Sequence, residues 1–178
     1  MKPLSLFPLL LLAAACTAPR PIHWDGPAGD RIAAELLAAD RAFAAEVAAD
    51  GLDGWMRWFA ADAARPDLPV VDLTGAVTPG AVTRGLDAIR EHDAPVFALP
   101  GARLRWEPSQ AGVFADGRTG FTQGRWWLEA TDAAAEPAAE PAALPRGWYL
   151  TWWRWQDGAW KVILDCGDAD PPAAPIAD

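Results

Sequence analysis

The sequence predicts an α+β fold, with N-terminal helices packed on one face of a curved, mainly antiparallel sheet. Two observations carry that expectation. Apolar residues recur at helical spacing between Asp30 and Gly51, and after Pro100 they fall into β-branched and aromatic runs separated by turn residues. A chain of 178 residues fits one domain and is long enough to bury a real core. Hydrophobic content of 52% with scattered charge fits a globular protein.

The chain opens with Lys2, an apolar run from Leu4 to Leu12, small residues from Ala13 to Ala15, and then Cys16. That run is too short to span a bilayer, and its flanks are those of a secretory signal over residues 1–15. The segment before Cys16 resembles a bacterial lipobox. The resemblance implies a lipid on the Cys16 thiol, cleavage before that residue, and an exported domain anchored to a membrane and facing the periplasm or the cell exterior. Cleavage by the general signal peptidase is the alternative and would release a soluble protein. With Cys16 lipidated, Cys166 has no partner and is expected to be a small packed side chain. Residues 16–28 are rich in proline and small residues and read as a tether.

Within the domain itself, residues 29–170, Ile32, Leu36, Phe43 and Val47 share one face of a first helix, with Asp30 as cap and Gly51 as stop. A second short helix is expected over "LDGWMRWFAADA", residues 52–63, presenting Trp55, Trp58 and Phe59 to the core. A third runs over "GLDAIREHDAPVF", residues 85–97, until Pro95 interrupts it. Between them, residues 69–85 hold β-branched pairs and turn residues, enough for one or two short strands. Strands follow over residues 102–117, 119–132 and 147–165, with Asp157-Gly158 as a hairpin turn in the last. The Ala-Ala-Glu-Pro repeat near residues 133–145 reads as a floppy excursion between strands, and residues 171–178 as a frayed, disordered tail.

Charge and motifs exclude several functions. A net charge of −9 with only two lysines argues against a nucleic-acid partner. His23 and His92 match no metal-ligand spacing, so no metal or cofactor is expected, and His92 reads as a solvated edge residue. No nucleophile elbow, Gly-rich phosphate loop or histidine-based triad is present.

"LDGWMRWFAADA", "TRGLDAIREH", "GRWW" and "YLTWWRWQDGAWKVILD" together resemble the SnoaL-like branch of the nuclear transport factor 2-like superfamily, much of which is of unknown function. The resemblance covers roughly residues 31–170 and implies a cone-shaped domain whose bent sheet and long first helix enclose a pocket. By that family's register, strand alternation turns Tyr149, Thr151 and Trp153 into the cone. The same alternation sends Gln123, Arg125, Trp127 and Glu129 inward from the preceding strand, and Ile163 and Asp165 from the last. Such an inward set mixes aromatic walls with a few polar groups, as small-molecule pockets do.

Asp40 interrupts the apolar stripe of the first helix, where an unpaired carboxylate would be costly. Asp40, Asp165 and Arg125 are therefore expected to form one polar cluster at the cone floor. That cluster is either an ion-pair network tying helix to sheet or a functional group, with Arg125 meeting an anionic or carbonyl group and Asp165 or Asp40 acting as base. The outward rings Trp126, Trp148 and Trp152 would leave an apolar patch that suits a homodimer.

The pattern departs from the family's steroid isomerases. Phe43 stands where their tyrosine would be, Thr151 where their strand acid would be, and only Asp67 falls near the base position. Three functions remain open: binding of a small, partly apolar ligand, with Trp127, Tyr149, Trp153, Phe43 and Thr151 around it; an acid/base enzyme of isomerase, cyclase or dehydratase type; or a dimeric assembly module without an active site.

Overall fold

A computed structural model describes residues 26–68, 70–71, 77–131 and 144–171. The expected signal peptide, Cys16, most of the tether and of the Ala-Glu-Pro excursion, and the tail beyond Pro171 lie outside the described residues. The first element, α1 (Pro27–Trp58), begins with Pro27 in its first turn, where the missing N–H costs nothing. Gly26 is its N-cap and Asp30 sits inside the first turn, next to the positive end of the helix dipole. Gly51 breaks the helix rather than ending it: at φ 57° and ψ −133° it turns the chain into a second helical piece. Arg57 in that piece pairs with Glu46 and Asp50 in the first, stapling the break.

The expected second helix stops at Trp58. Phe59–Pro66 is instead a strand, β1, and Trp55 and Phe59 are buried as anticipated. Ala, Asp and Arg fill this strand, so local propensity gave no sign of it. The hairpin strands β2 (Val70–Val71) and β3 (Val77–Thr78) pair with each other. β4 (Val82–Arg84) then runs antiparallel to β1. α2 (Leu86–Phe97) carries Pro95 within it, not at its end. Pro95 lies in the last turn, where its missing N–H forfeits a single helical bond.

Four long strands complete the chain: β5 (Ala102–Val113), β6 (Thr119–Ala130), β7 (Arg146–Gln156) and β8 (Ala159–Ala169). They form an antiparallel meander, and β8 then pairs in parallel with β1 to give one sheet of order β4-β1-β8-β7-β6-β5. Asp157 and Gly158 both adopt positive φ, 52° and 80°, as a tight turn between β7 and β8 requires. Helix α1 packs across the inner face of this sheet through Leu36, Asp40, Phe43 and Val47, all nearly or fully buried. The α+β cone with helices on a curved sheet is the architecture that the sequence predicts.

Register shifts interrupt three of the sheet's pairings, one of them between β1 and β8 from Phe59 to Ala64. The pairing of β5 with β6 shifts between Pro108 and Gln110, and that of β7 with β8 shifts between Trp152 and Trp153. Gly124 shows how close the strands come: a Cβ there would lie 2.1 Å from the Glu107 carbonyl oxygen on β5. Because that oxygen is backbone at a bulge, neither side can yield cheaply. Gly124→Ala should therefore destabilise the fold by about 2 kcal/mol or more, read as a lower urea midpoint; an unchanged midpoint would show that the sheet relaxes there freely.

Candidate functional site

Residues directly opposite in an antiparallel pair share a face of the sheet. Thr122 pairs with Thr151 and Gly124 with Tyr149, so the inward set of β6 is the even one, including Trp126 and Leu128. This corrects the expected register by one residue. Arg125 lies on the outer face, 53% exposed, and pairs with Asp170. Trp127 is exposed beside it, Glu129 pairs with Arg105, and Gln123 bonds Gln110. Trp126, expected outside, lines the cone. Alternation within one strand offers two parities, and only the pairing with β7 selects between them.

Asp165 faces inward opposite Thr151, as expected, but the bulge puts Ile163 out of sequence, and Val162 takes the inward place opposite Trp153. Trp153 is not a pocket wall. It is fully buried, packs edge-on against Phe43 and Trp58, and donates its indole N–H to Thr122.

The expected single cluster of Asp40, Asp165 and Arg125 resolves into two, neither containing Arg125. In the first, Asp40 is fully buried and accepts from Trp106 Nε1 at 2.7 Å and the Tyr149 hydroxyl at 2.8 Å. The Thr122 hydroxyl is a third donor. Burial raises the Asp40 pKa, and these three hydrogen bonds pull it back. Burial and the nearby Asp40 charge push the Tyr149 phenol far above its ordinary value, so it stays a donor.

The second cluster is built around Arg65 of β1, a residue not anticipated as part of the site. Its guanidinium contacts Asp165 through Nη1 and Asp93 through Nε, the latter at 3.1 Å, and lies 5.6 Å above the Trp55 ring. Asp165 also accepts from the Thr151 hydroxyl at 2.5 Å, while Asp93 accepts from Trp55 Nε1 at 2.8 Å and contacts His92 Nδ1 at 2.8 Å. His92 is thus tied into the cluster, its other nitrogen 3.3 Å from Asp67. Burial opposes the charge on Arg65, but Asp165 and Asp93 outweigh it and hold its pKa above the ordinary value. Burial lifts Asp165 to about 6 despite Arg65 and Thr151. The sequence did carry one signal for Arg65: the residue before a proline is driven into extended backbone, and Pro66 follows it.

Over this second cluster lies an open pocket of about 410 Å³. Phe43, Trp55, Trp106, Trp126 and Tyr149 wall it, Arg65, Asp93, Thr151 and Asp165 form its buried polar end, and Val96, Pro145 and Asp168 stand at its exposed end. Asp40 is sealed behind Tyr149 and does not line it. Gly147 lets the Trp126 indole reach the carbonyls of Trp148 and Asp168, since a Cβ there would lie 2.7 Å from its Nε1. Cys166 is buried and free, with its thiol pKa raised by burial. Among the described residues no three His, Cys, Asp or Glu side chains come together as a metal site.

Solved structures share this architecture. One is a nuclear transport factor 2-like protein of unknown function from Pseudomonas putida, with a TM-score of 0.56 and 16% identity over 79% of this chain and 88% of that one. Another is a cystatin-like-fold protein of unknown function from Nostoc punctiforme, at 0.52 and 15% over 81% and 94%. A third, from Thiobacillus denitrificans, is assigned as a calcium/calmodulin-dependent protein kinase type II association domain, at 0.52 and 20% over 75% and 94%. The chain therefore has the nuclear transport factor 2-like, or cystatin-like, fold. The sequence matches no protein-family model and no curated protein.

Two outcomes follow from the two carboxylates. Asp40→Ala strands three donors and should cost about 3–5 kcal/mol, whereas Asp40→Asn keeps an acceptor for Trp106 and should cost about half as much; equal losses in urea titrations would refute this hydrogen-bond account. For Asp165 the folded pKa lies above the ordinary 3.8, so the native state holds a proton that the unfolded chain has lost between pH 3.8 and about 6. Its contribution to stability is full below that window and lost as pH rises through it. The stability of the wild type minus that of Asp165→Asn should fall by ~2–3 kcal/mol from pH 4 to pH 7, and a flat difference would contradict the assignment.

Proposed function

We propose that this is an exported, lipid-anchored domain that binds a small, partly apolar ligand in the cone. The observation that carries the binding reading is the open aromatic pocket ending in a buried polar group, a composition typical of small-molecule sites. Export and anchoring rest on the Lys2-to-Cys16 signal pattern. No helix among the described residues is long and apolar enough to cross a membrane; the anchor on this reading is a lipid on Cys16. The exposed rings Trp127, Trp148 and Trp152 on the outer sheet face support a homodimer.

A second reading is acid/base catalysis, favoured by Asp165 specifically. It lines the pocket, is buried, and titrates near 6, where a general base works at neutral pH. On that reading a pH–rate profile has a limb near pH 6 that disappears in Asp165→Asn; a limb that persists would eliminate Asp165 as the base. Asp40, closed off from the pocket, is not a candidate for contact with substrate.

One experiment addresses ligand, anchor and oligomer together: native mass spectrometry of the full chain extracted in mild detergent from membranes of its own host. The expected species is a dimer of chains beginning at Cys16, each bearing acyl mass and releasing a small molecule on denaturation. The released mass should vanish in Val96→Trp, which fills the exposed end of the pocket, and persist in Arg125→Ala. No released mass, and none after incubation with apolar small molecules, would reject the binding reading; an unacylated chain would reject the anchor.

A further inference from the structure

The pocket's polar groups are uneven in a way that selects a ligand class. The indole N–H groups of Trp55, Trp106 and Trp126 and the hydroxyls of Tyr149 and Thr151 are all donated to protein acceptors. The Arg65 guanidinium is more exposed than its two carboxylate partners, 21% against 5% for Asp93 and 7% for Asp165, yet they grip it on two sides. An anion entering there would meet a cation that is already over-neutralised. Asp165 is the less satisfied of the two carboxylates, since Asp93 accepts from Arg65 and Trp55 and also contacts His92. Among the described residues Asp165 receives one donor on each carboxylate oxygen, Arg65 on one and Thr151 on the other, and a carboxylate oxygen takes two. Among the groups that line the pocket, two buried acids stand against one guanidinium, with His92 contacting Asp93 from outside the lining, and Asp168 at the rim adds negative charge. The walls are aromatic faces, whose quadrupoles also favour positive charge.

Resting on the ligand-binding reading above, we infer that the pocket selects a cationic ligand: an ammonium or amidinium group directed at Asp165 and Asp93, on an apolar body that fills the space between Trp55, Trp106 and Trp126. A bound cation completes the neutralisation of the floor, which an anion of the same size would worsen. The ammonium N–H groups meet the acceptor capacity that the protein leaves open. Binding weakens in acid, because protonating Asp165 removes the excess charge. The groups facing Asp165 are Arg65 on β1, Asp93 on α2 with His92 in contact with it, Asp40 on α1, Thr151 and Tyr149 on β7, and Cys166 beside it on β8. Of these, Arg65 keeps its charge throughout the range in question.

The test uses three probes of similar size, 2-phenylethylamine, 2-phenylethanol and phenylacetate, titrated calorimetrically against the full chain in detergent at pH 7 and pH 5. The amine is expected to bind at least tenfold tighter than either of the others at pH 7. That advantage should shrink severalfold at pH 5 and in Asp165→Asn, while the alcohol binds alike in all cases. Phenylacetate binding as tightly as the amine, or an amine advantage unchanged both at pH 5 and in an Asp165→Asn protein that still takes the alcohol, would overturn the cation assignment and leave the pocket reading standing. Failure of all three probes, the neutral alcohol included, would overturn both. Should Asp165→Asn not fold, the wild-type comparison of pH 7 with pH 5 decides alone.

Discussion

The structure depends on a buried carboxylate that has no cation beside it among the described residues. Asp40 sits in the middle of the apolar stripe of α1 and takes donors from Trp106 on β5, Thr122 on β6 and Tyr149 on β7. An ionised group in that position is tolerable only with such satisfaction, since desolvation penalises it and no described residue of opposite sign offsets the penalty. One side chain therefore fixes the rotation of the helix against three neighbouring strands at once. It also sets the pocket wall, because the Tyr149 ring faces the cavity only while its hydroxyl is held behind it.

The second polar group is arranged on the opposite principle. Arg65, Asp93 and Asp165 come from β1, α2 and β8, and their charges offset one another in a site that remains partly open to solvent. This group joins the short helix to the parallel β1–β8 pair of the sheet. It stands at the buried end of a cavity, where Asp40 stands in packed core. The two acids thus differ in role through surroundings alone: Asp40 is sealed by its donors, while Asp165 is reachable and has a proton to gain near pH 6.

What could be read from the sequence was local or repeated. The stripe Leu36, Asp40, Phe43, Val47 is a period in one segment, and the Asp157-Gly158 turn is a two-residue signal, so both the long helix and the last hairpin were visible. The inward positions of Tyr149, Thr151 and Asp165 rest on the family resemblance, whose register chooses between the two parities that alternation allows. The register of β6 was not visible, because the doublet Trp126-Trp127 satisfies either parity and only pairing to β7, across a segment of more than a dozen residues, decides which ring enters the cone. Arg65 was hidden differently. Its strand is alanine-rich and continues a helical pattern, and tertiary pairing with β8 overrides that propensity.

The tryptophans sort by what their N–H groups can reach. Trp55 donates to Asp93, Trp58 to Glu46, Trp106 to Asp40, Trp126 to two strand carbonyls and Trp153 to Thr122. Phenylalanine could fill much of the same volume but could hold none of those acceptors, so these rings serve as walls and as fasteners together. Trp160 is the contrary case, buried with no partner for its Nε1 among the described residues. It packs against Trp155 at the hairpin end of β7 and β8, away from the pocket. Trp127, Trp148 and Trp152 lie exposed on the outer face, Trp152 packing against Phe114. The cone's rings are therefore committed through their N–H edges to the protein, leaving their π faces, rather than any donor, to meet whatever enters.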